Sequence, residues 1–385
     1  MNPYRVANRW EEATFRDRPN RFTLVLGLKG KTVRAYLPNT GRLEEYLVEG
    51  TPFFIAPFRS EKFTYRTIST FYQGCYVLLD TIEMNNLAGA LIQGGFISGL
   101  EGRTAVFREQ SMGSSRFDFI VERKGAPPLI VEVKTCTLSH NGVAMFPDAP
   151  TKRARSHVEH LGNLGQGGYD TAMFFIIPNA NTSSFMPNYH TDPEFSQALL
   201  DERSVSYRAF SLRLNDPVCV DLDSVKEIPV NLELPGMVSR NSGTYLLLLE
   251  NDRMRRLQVG GLGQVTLQRG HYVYVGSGMG SLEARAGRHF KTRKKRFWHI
   301  DYLTPEHLKP KKLYLIRRPD RIETAVARRL RAVASGCIEG FGASDTGAGS
   351  HLFYFDAPPS GDRDFMDTVL DFRTFTERTC TIRTG

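Results

Sequence analysis

An acid and a lysine set inside an apolar run constrain this chain more than any other feature. The run reads Leu129-Ile130-Val131-Glu132-Val133-Lys134. Its length and its Ile and Val content predict a buried strand. Glu132 and Lys134 lie two apart, so both point to one face of the sheet. A carboxylate carried into such a run needs a partner or a cation. Upstream, Ser115-Arg116-Phe117-Asp118-Phe119 reads as a second strand, with Phe117, Phe119 and Val121 alternating with Asp118 and Ile120. Gly125-Ala126-Pro127-Pro128 supplies the turn between them. Two carboxylates can hold a divalent cation through oxygen ligands. A lysine beside it can orient or deprotonate a water, or steady charge on a phosphate. These are the parts of a phosphodiester hydrolase. The same spacing also fits a structural ion pair, and Glu122 and Lys124 repeat it at the wet end of a strand.

At 385 residues the chain suits two or three domains. Its 41% hydrophobic and 24% charged residues are those of an ordinary globular protein. No apolar run approaches the roughly 18 residues a membrane helix needs. Met1-Asn2-Pro3-Tyr4-Arg5 lacks the apolar core of a signal peptide. Five widely spaced cysteines form neither a disulfide framework nor a Cys-x-x-Cys site, which predicts a reducing cytoplasm. A net charge of +9 favours a polyanionic partner. That charge is concentrated: Arg285 to Arg331 holds 16 Lys or Arg against 4 Asp or Glu. Lys291, Arg293, Lys294 and Lys295 form its densest part and are candidate phosphate contacts.

Short strands punctuated by Gly and Pro run through residues 20–80, at 22–28, 32–37, 51–57 and 64–72. They predict an OB-type β-barrel in residues 1–80, a fold that can track a nucleic-acid backbone and stack bases. Arg42, in the Asn39-Thr40-Gly41-Arg42 turn, is its candidate phosphate contact. Residues 81–230 read as mixed α/β, with helices at 85–93 and 152–164 and a buried strand at 171–177. Lys152, Arg153, Arg155, His157 and His160 share the second helix. This pattern suits a phosphate-facing or simply solvated helix better than a histidine metal site. Residues 215–242, rich in Pro, Asp, Asn and Ser, read as a connection.

The motifs recur together. Glu109-Gln110-Ser111-Met112-Gly113-Ser114-Ser115-Arg116-Phe117-Asp118, then Glu132-Val133-Lys134, then Phe146-Pro147-Asp148-Ala149-Pro150-Thr151-Lys152-Arg153 stand in order. With Leu37-Pro38-Asn39-Thr40-Gly41-Arg42 upstream, residues 1 to about 230 resemble the SfsA, or sugar fermentation stimulation, family. The resemblance implies a PD-(D/E)xK-type nuclease acting on DNA or RNA with Mg²⁺ or Mn²⁺. By position it makes Asp118 and Glu132 metal ligands and Lys134 the catalytic lysine; Arg116 and Arg153, basic residues within these motifs, are candidate nucleic-acid contacts. A glutamate common to the helix after the Asn-x-Leu run is Ala90 here, which leaves Glu83 or Glu109 to substitute. The family's name also admits a non-catalytic DNA-binding regulator.

Residues 241–357 carry Gly243-Thr244-Tyr245, Tyr272-Val273-Tyr274-Val275-Gly276-Ser277, Arg285, Trp298-His299-Ile300-Asp301 and Glu323. This stretch resembles the domain called DUF123, which is GIY-YIG-like. The resemblance implies that Tyr245, Tyr274, Arg285 and Glu323 form a second nuclease site, with Glu323 holding the metal. A tyrosine can position or deprotonate water, an arginine steadies phosphate charge, and a glutamate binds one cation. Cysteines common in the family are replaced by Thr324, Thr346 and Ala348, leaving His289, His299, Asp301 and His351 as the other polar candidates. Residues 358–385 read as a tail.

Overall fold

The computed structural model describes residues 3–113, 115–233, 238–343 and 349–376. Ser114, Thr346 and Ala348, named in the sequence motifs, lie outside the described residues. Two compact units divide after Glu233.

In the first unit a short strand β1 (Pro3–Arg5) precedes six strands: β2 (Glu11–Asn20), β3 (Thr23–Leu28), β4 (Lys31–Tyr36), β5 (Pro52–Pro57), β6 (Tyr65–Tyr72) and β7 (Cys75–Leu78). They pair in the order β4-β3-β2-β5-β6-β7, and a parallel pairing of β4 with β6 closes five of them into a barrel. This is the OB-type barrel that the short strands predict. Leu24, Leu26, Ala35, Phe53 and Ile55 fill it. β2 escapes the sequence reading because only Ala13 and Phe15 of its ten residues turn inward.

Helix α1 (Thr81–Gly94) follows, capped by Asp80, whose carboxylate accepts from the amides of Ile82 and Glu83. Next come β8 (Arg103–Met112), β9 (Ser115–Arg123), β10 (Ala126–Thr135), β11 (Ser139–His140), β12 (Val143–Phe146), α2 (Lys152–Gln166), β13 (Asp170–Ile177), β14 (Ser184–Pro187), α3 (Pro193–Asp201), β15 (Ser206–Asp216) and β16 (Cys219–Ile228). Seven strands form one mixed sheet in the order β1-β16-β15-β13-β10-β9-β8, with β10, β13 and β15 parallel. Leu87, Leu91 and Ile92 of α1 pack on one face, together with Val131 and Phe174. Ala154, Val158 and Leu161 of α2 pack on the other, with Ile130 and Phe175. β16 lies within the stretch read as a connection, and residues 3–5, taken on sequence with the barrel, pair with β16 instead.

The second unit is built on an antiparallel sheet. β17 (Gly243–Asn251), β18 (Arg255–Val259), β19 (Gly263–Leu267), β20 (Gly270–Gly278), α4 (Leu282–Gly287), β21 (Lys309–Ile316), α5 (Glu323–Val333), β22 (Gly336–Cys337), β23 (Leu352–Phe355) and α6 (Arg363–Thr374) follow in turn. Five strands order as β21-β17-β20-β23-β22. The stretch read as a tail contains α6, which buries Phe365, Met366, Val369, Leu370 and Phe372. Asp362 caps it by accepting from the Phe365 amide. The described residues contain no helix long and apolar enough to cross a membrane.

Candidate metal centre and nucleic-acid surfaces

The ladder between β9 and β10 ends where Val131 faces Phe119. Beyond that point the Val133 amide donates to Asp118 Oδ2 at 2.8 Å. Across β9, in β8, Glu109 lies between the partners of Phe119 and Phe117 and takes a left-handed backbone, φ 53°. A non-glycine residue pays for that conformation, and such residues cluster at functional sites. Opposite this residue, the simple alternation read from sequence breaks in β9. Phe119 and Val121 pack on the α1 face, whereas Phe117 joins Ile130 on the α2 face.

Asp118 Oδ1 accepts from Asn85 Nδ2 of α1 at 2.7 Å. Burial and then the negative charge of Glu132 push its carboxyl above the usual range. Glu132 is 4% exposed. Its Oε1 accepts from Lys134 Nζ at 2.5 Å, and His157 Nδ1 of α2 lies 2.5 Å from the same oxygen. Burial alone would raise the Glu132 carboxyl; His157 and Lys134 outweigh it and hold the group below its ordinary value. Glu132 Oε2 is buried with no hydrogen-bond partner among the described residues. Beside this pair lies a cavity of about 310 Å³ lined by Asn39, Gly41, Asn85, Lys134, Thr137 and Asp148. Asn39 and Gly41 come from the loop after β4, Asn85 from α1, Lys134 from β10, and Thr137 and Asp148 from the loops before β11 and after β12. Asp118 and Glu132 sit behind that wall, joined to it through Asn85 and Lys134.

The sequence reading places Asp118, Glu132 and Lys134 together, and so does the structure. It discounts His157 and passes over Asn85. His157 sits on the apolar stripe Ala154, His157, Val158 and Leu161 of an otherwise polar helix. That helical spacing is the signal that finds it. Neither glutamate expected to replace the family residue comes to the centre. Glu83 is taken up by Arg66, at 3.6 Å, and by the Tyr4 hydroxyl, at 3.3 Å. Glu109 pairs with Arg116. Arg42, Arg116 and Arg153 are exposed.

In the second unit the four residues named on sequence also converge. The Tyr245 and Tyr274 rings are 6.2 Å apart on neighbouring strands. Tyr245 Oη lies 2.7 Å from His289 Nε2. Burial raises both phenols, and Arg285 and Glu323 are close enough to act on each. Gly276 faces Tyr245 across the ladder because a Cβ there would collide with the phenol ring. Arg285 stacks on Trp298 at 3.9 Å. Both oxygens of Glu323 are engaged: Ser277 Oγ donates to Oε2 at 2.5 Å, and His351 Nδ1 lies 3.3 Å from Oε1. Burial pushes Glu323 up, but His351 and Ser277 outweigh it and hold it low. Ser277 carries no motif signal beyond its place in Tyr-Val-Gly-Ser. His299 Nδ1 accepts from the Gly342 amide, and Asp301 binds Arg288 at 2.9 Å.

Lys291, Arg293 and Lys295 are exposed, but Lys294 corrects the sequence reading. Its side chain is 5% exposed, and its ammonium lies 3.6 Å from Asp301 and donates to Thr304 Oγ1 at 2.8 Å. A buried carboxylate has drawn this one cation of the run inward.

Comparison with known proteins agrees with this division. Residues 17–79 match the SfsA N-terminal OB domain and 83–216 the sugar fermentation stimulation protein RE domain. Residues 244–373 match the domain of unknown function DUF123. A sugar fermentation stimulation protein homolog from Moorella thermoacetica is 37% identical over 215 residues, spanning 55% of this chain and 93% of that protein. The chain belongs to the sugar fermentation stimulation protein family. A homolog from Chloroflexus aurantiacus is 34% identical over 223 residues, 57% of this chain and 85% of that one. Among solved structures, the SfsA of Pyrococcus furiosus in complex with Ca²⁺ is 27% identical, with a TM-score of 0.54, covering 60% of this chain and 98% of that chain. The family therefore accounts for the first unit, and DUF123 for the second.

Proposed function

We propose that the first unit is a cytoplasmic, divalent-cation-dependent nuclease of the PD-(D/E)xK type, hydrolysing phosphodiester bonds of DNA or RNA. The observation that carries this is Glu132 Oε2, a buried carboxylate oxygen with no partner, next to an acid whose proton its own charge favours. Both features are relieved by a cation. Asp118 and Glu132 would hold it. Among the described residues no group of three or more His, Cys, Asp or Glu is placed to hold a metal ion, so the site would rest on these two carboxylates. Two carboxylates are a number that Mg²⁺ accepts while keeping waters and substrate oxygens. The Ca²⁺ complex of the Pyrococcus furiosus relative supports a divalent site in the family. When bound, the cation offsets phosphate charge and acidifies a coordinated water. Asn85 and the Val133 amide orient Asp118, and His157 keeps Glu132 ionised. Lys134, held at the cavity wall by Glu132, meets the phosphate oxygen or the attacking water.

The second unit is read as GIY-YIG-like in its residue set. With both Glu323 oxygens engaged and its tyrosines buried, its better role is to hold nucleic acid for the first unit. The decisive experiment incubates the purified chain with single- and double-stranded DNA and RNA, with and without Mg²⁺ or Mn²⁺. Cleavage is expected only with the cation. It should disappear in Asp118→Ala and Glu132→Ala while binding persists. Cleavage at the wild-type rate in both variants overturns the assignment.

A further inference from the structure

Phe297 is 74% exposed, the most exposed large apolar side chain among the described residues, and Phe290 nearby is 46% exposed. Leaving a phenyl ring in water forgoes the stabilisation that burial brings. Its backbone is anchored: the amides of Phe297 and Trp298 both donate to Asp301 Oδ2 at 3.1 Å. Asp301 also binds Arg288. Against the phenyl, Trp298 packs edge-on at 5.1 Å, and its ring also carries the guanidinium groups of Arg285 and Arg288 at 3.9 and 5.1 Å. Lys291, Arg293 and Lys295, which precede it in the same segment, are exposed. The segment thus holds a braced, exposed aromatic ring among exposed cations of the same stretch of chain. A flat, weakly polar partner joined to a polyanionic backbone complements both features.

We propose that Phe297 is a stacking platform for an unpaired base, and that the second unit binds single-stranded nucleic acid through it. Lys291, Arg293 and Lys295 take the flanking phosphates. A duplex keeps its base faces covered, so it engages the cations alone. This inference rests on the nucleic-acid partner proposed above, and on neither cleavage site.

The test uses the full chain in EDTA, so that binding is read without cleavage, with labelled oligo-dT, oligo-U and a blunt DNA duplex. Phe297→Ala should weaken the single strands roughly 5- to 150-fold, as loss of one base–aromatic stack does, and leave duplex affinity unchanged. Its salt dependence should stay parallel to wild type, because no phosphate contact is lost. Phe297→Trp should restore binding. Arg293→Ala with Lys295→Ala should instead flatten the single-strand salt slope by about 0.7 per contact. Comparing oligo-dT with oligo-U tells DNA from RNA. Wild-type affinity in Phe297→Ala, with the salt slope still set by Arg293 and Lys295, overturns the platform and leaves the partner in place. Equal loss for single strand and duplex also overturns it. A wild-type chain that binds none of the three at low salt overturns the platform and the nucleic-acid reading together.

Discussion

Glu132 and Glu323 are the same side chain in opposite circumstances. Glu132 shares one oxygen between Lys134 and His157 and keeps the other buried and unpartnered. Glu323 has a partner on each oxygen, Ser277 and His351. Both lie near an arginine or lysine, and both ionise more readily than an ordinary glutamate, although burial opposes it. Matching residue types therefore do not make matching sites. What separates the two is whether one oxygen is left without a protein partner.

The sharpest way to break this comparison is to remove one charge from each. Glu132→Gln should reduce metal-dependent cleavage by the full chain about 1,000-fold, the several kcal/mol that a bound cation supplies. Glu323→Gln should leave that rate unchanged. A larger loss from Glu323→Gln would transfer the catalytic role to the second unit. Rates measured on one labelled substrate at saturating Mg²⁺ decide it.

A smaller effect is expected at Asn85. Its amide supports Asp118, and removing such a partner of a ligand typically weakens metal binding about 10- to 100-fold. The sign of the pH effect also follows. Burial and Glu132 push the Asp118 carboxyl up, and Asn85 pulls it down. The carboxylate must be ionised to bind the cation, so affinity falls as pH drops through its pKa. Asn85→Ala raises that pKa further. The acid limb of the Mg²⁺-dependent rate should move to higher pH, and a move to lower pH would exclude this role.

Asp118, Glu132 and Lys134 were legible in the sequence because an acid inside Leu-Ile-Val-x-Val breaks the burial rule unless something answers it. Their partners were not. Asn85 and His157 reach the centre from two helices on opposite faces of the sheet, 33 and 25 positions away from the acids they serve. No local pattern links such distant residues, although the stripe on α2 marked His157. The barrel was legible from its turns, except for β2, whose two inward residues are too few to register. α6 had a cap and an apolar stripe and was overlooked beside an uninformative end. Lys294 was misread because a run of cations has no periodicity to show which one turns inward.

The second centre should respond to pH through folding rather than through metal binding. Burial, and then Lys294, lower the His289 imidazole to about 4. The unfolded imidazole, near 6.5, takes its proton first as pH falls. Stability is therefore complete above about 6.5 and is lost progressively down to about 4. Those values imply a loss of about 2 kcal/mol by pH 5. Hydrogen exchange of β17 and β20 measures it, and His289→Gln should flatten the profile between pH 7 and 5. An unchanged profile would mean that another group carries the acid sensitivity.

The smallest effect separates two neighbouring lysines. Lys295 is exposed, so Lys295→Ala should lower the salt slope of duplex binding by about 0.9, one counterion contact. Lys294→Ala should leave that slope alone, because its ammonium already answers Asp301 and Thr304. Its cost should appear as stability instead, about 1.5 kcal/mol, the scale of a hydrogen bond to a charged group. Asp301 keeps Arg288 and two backbone amides, so the loss stays modest. If Lys294→Ala flattened the slope as much as Lys295→Ala, the inward lysine would have to swing out when nucleic acid binds, and Asp301 would be its latch.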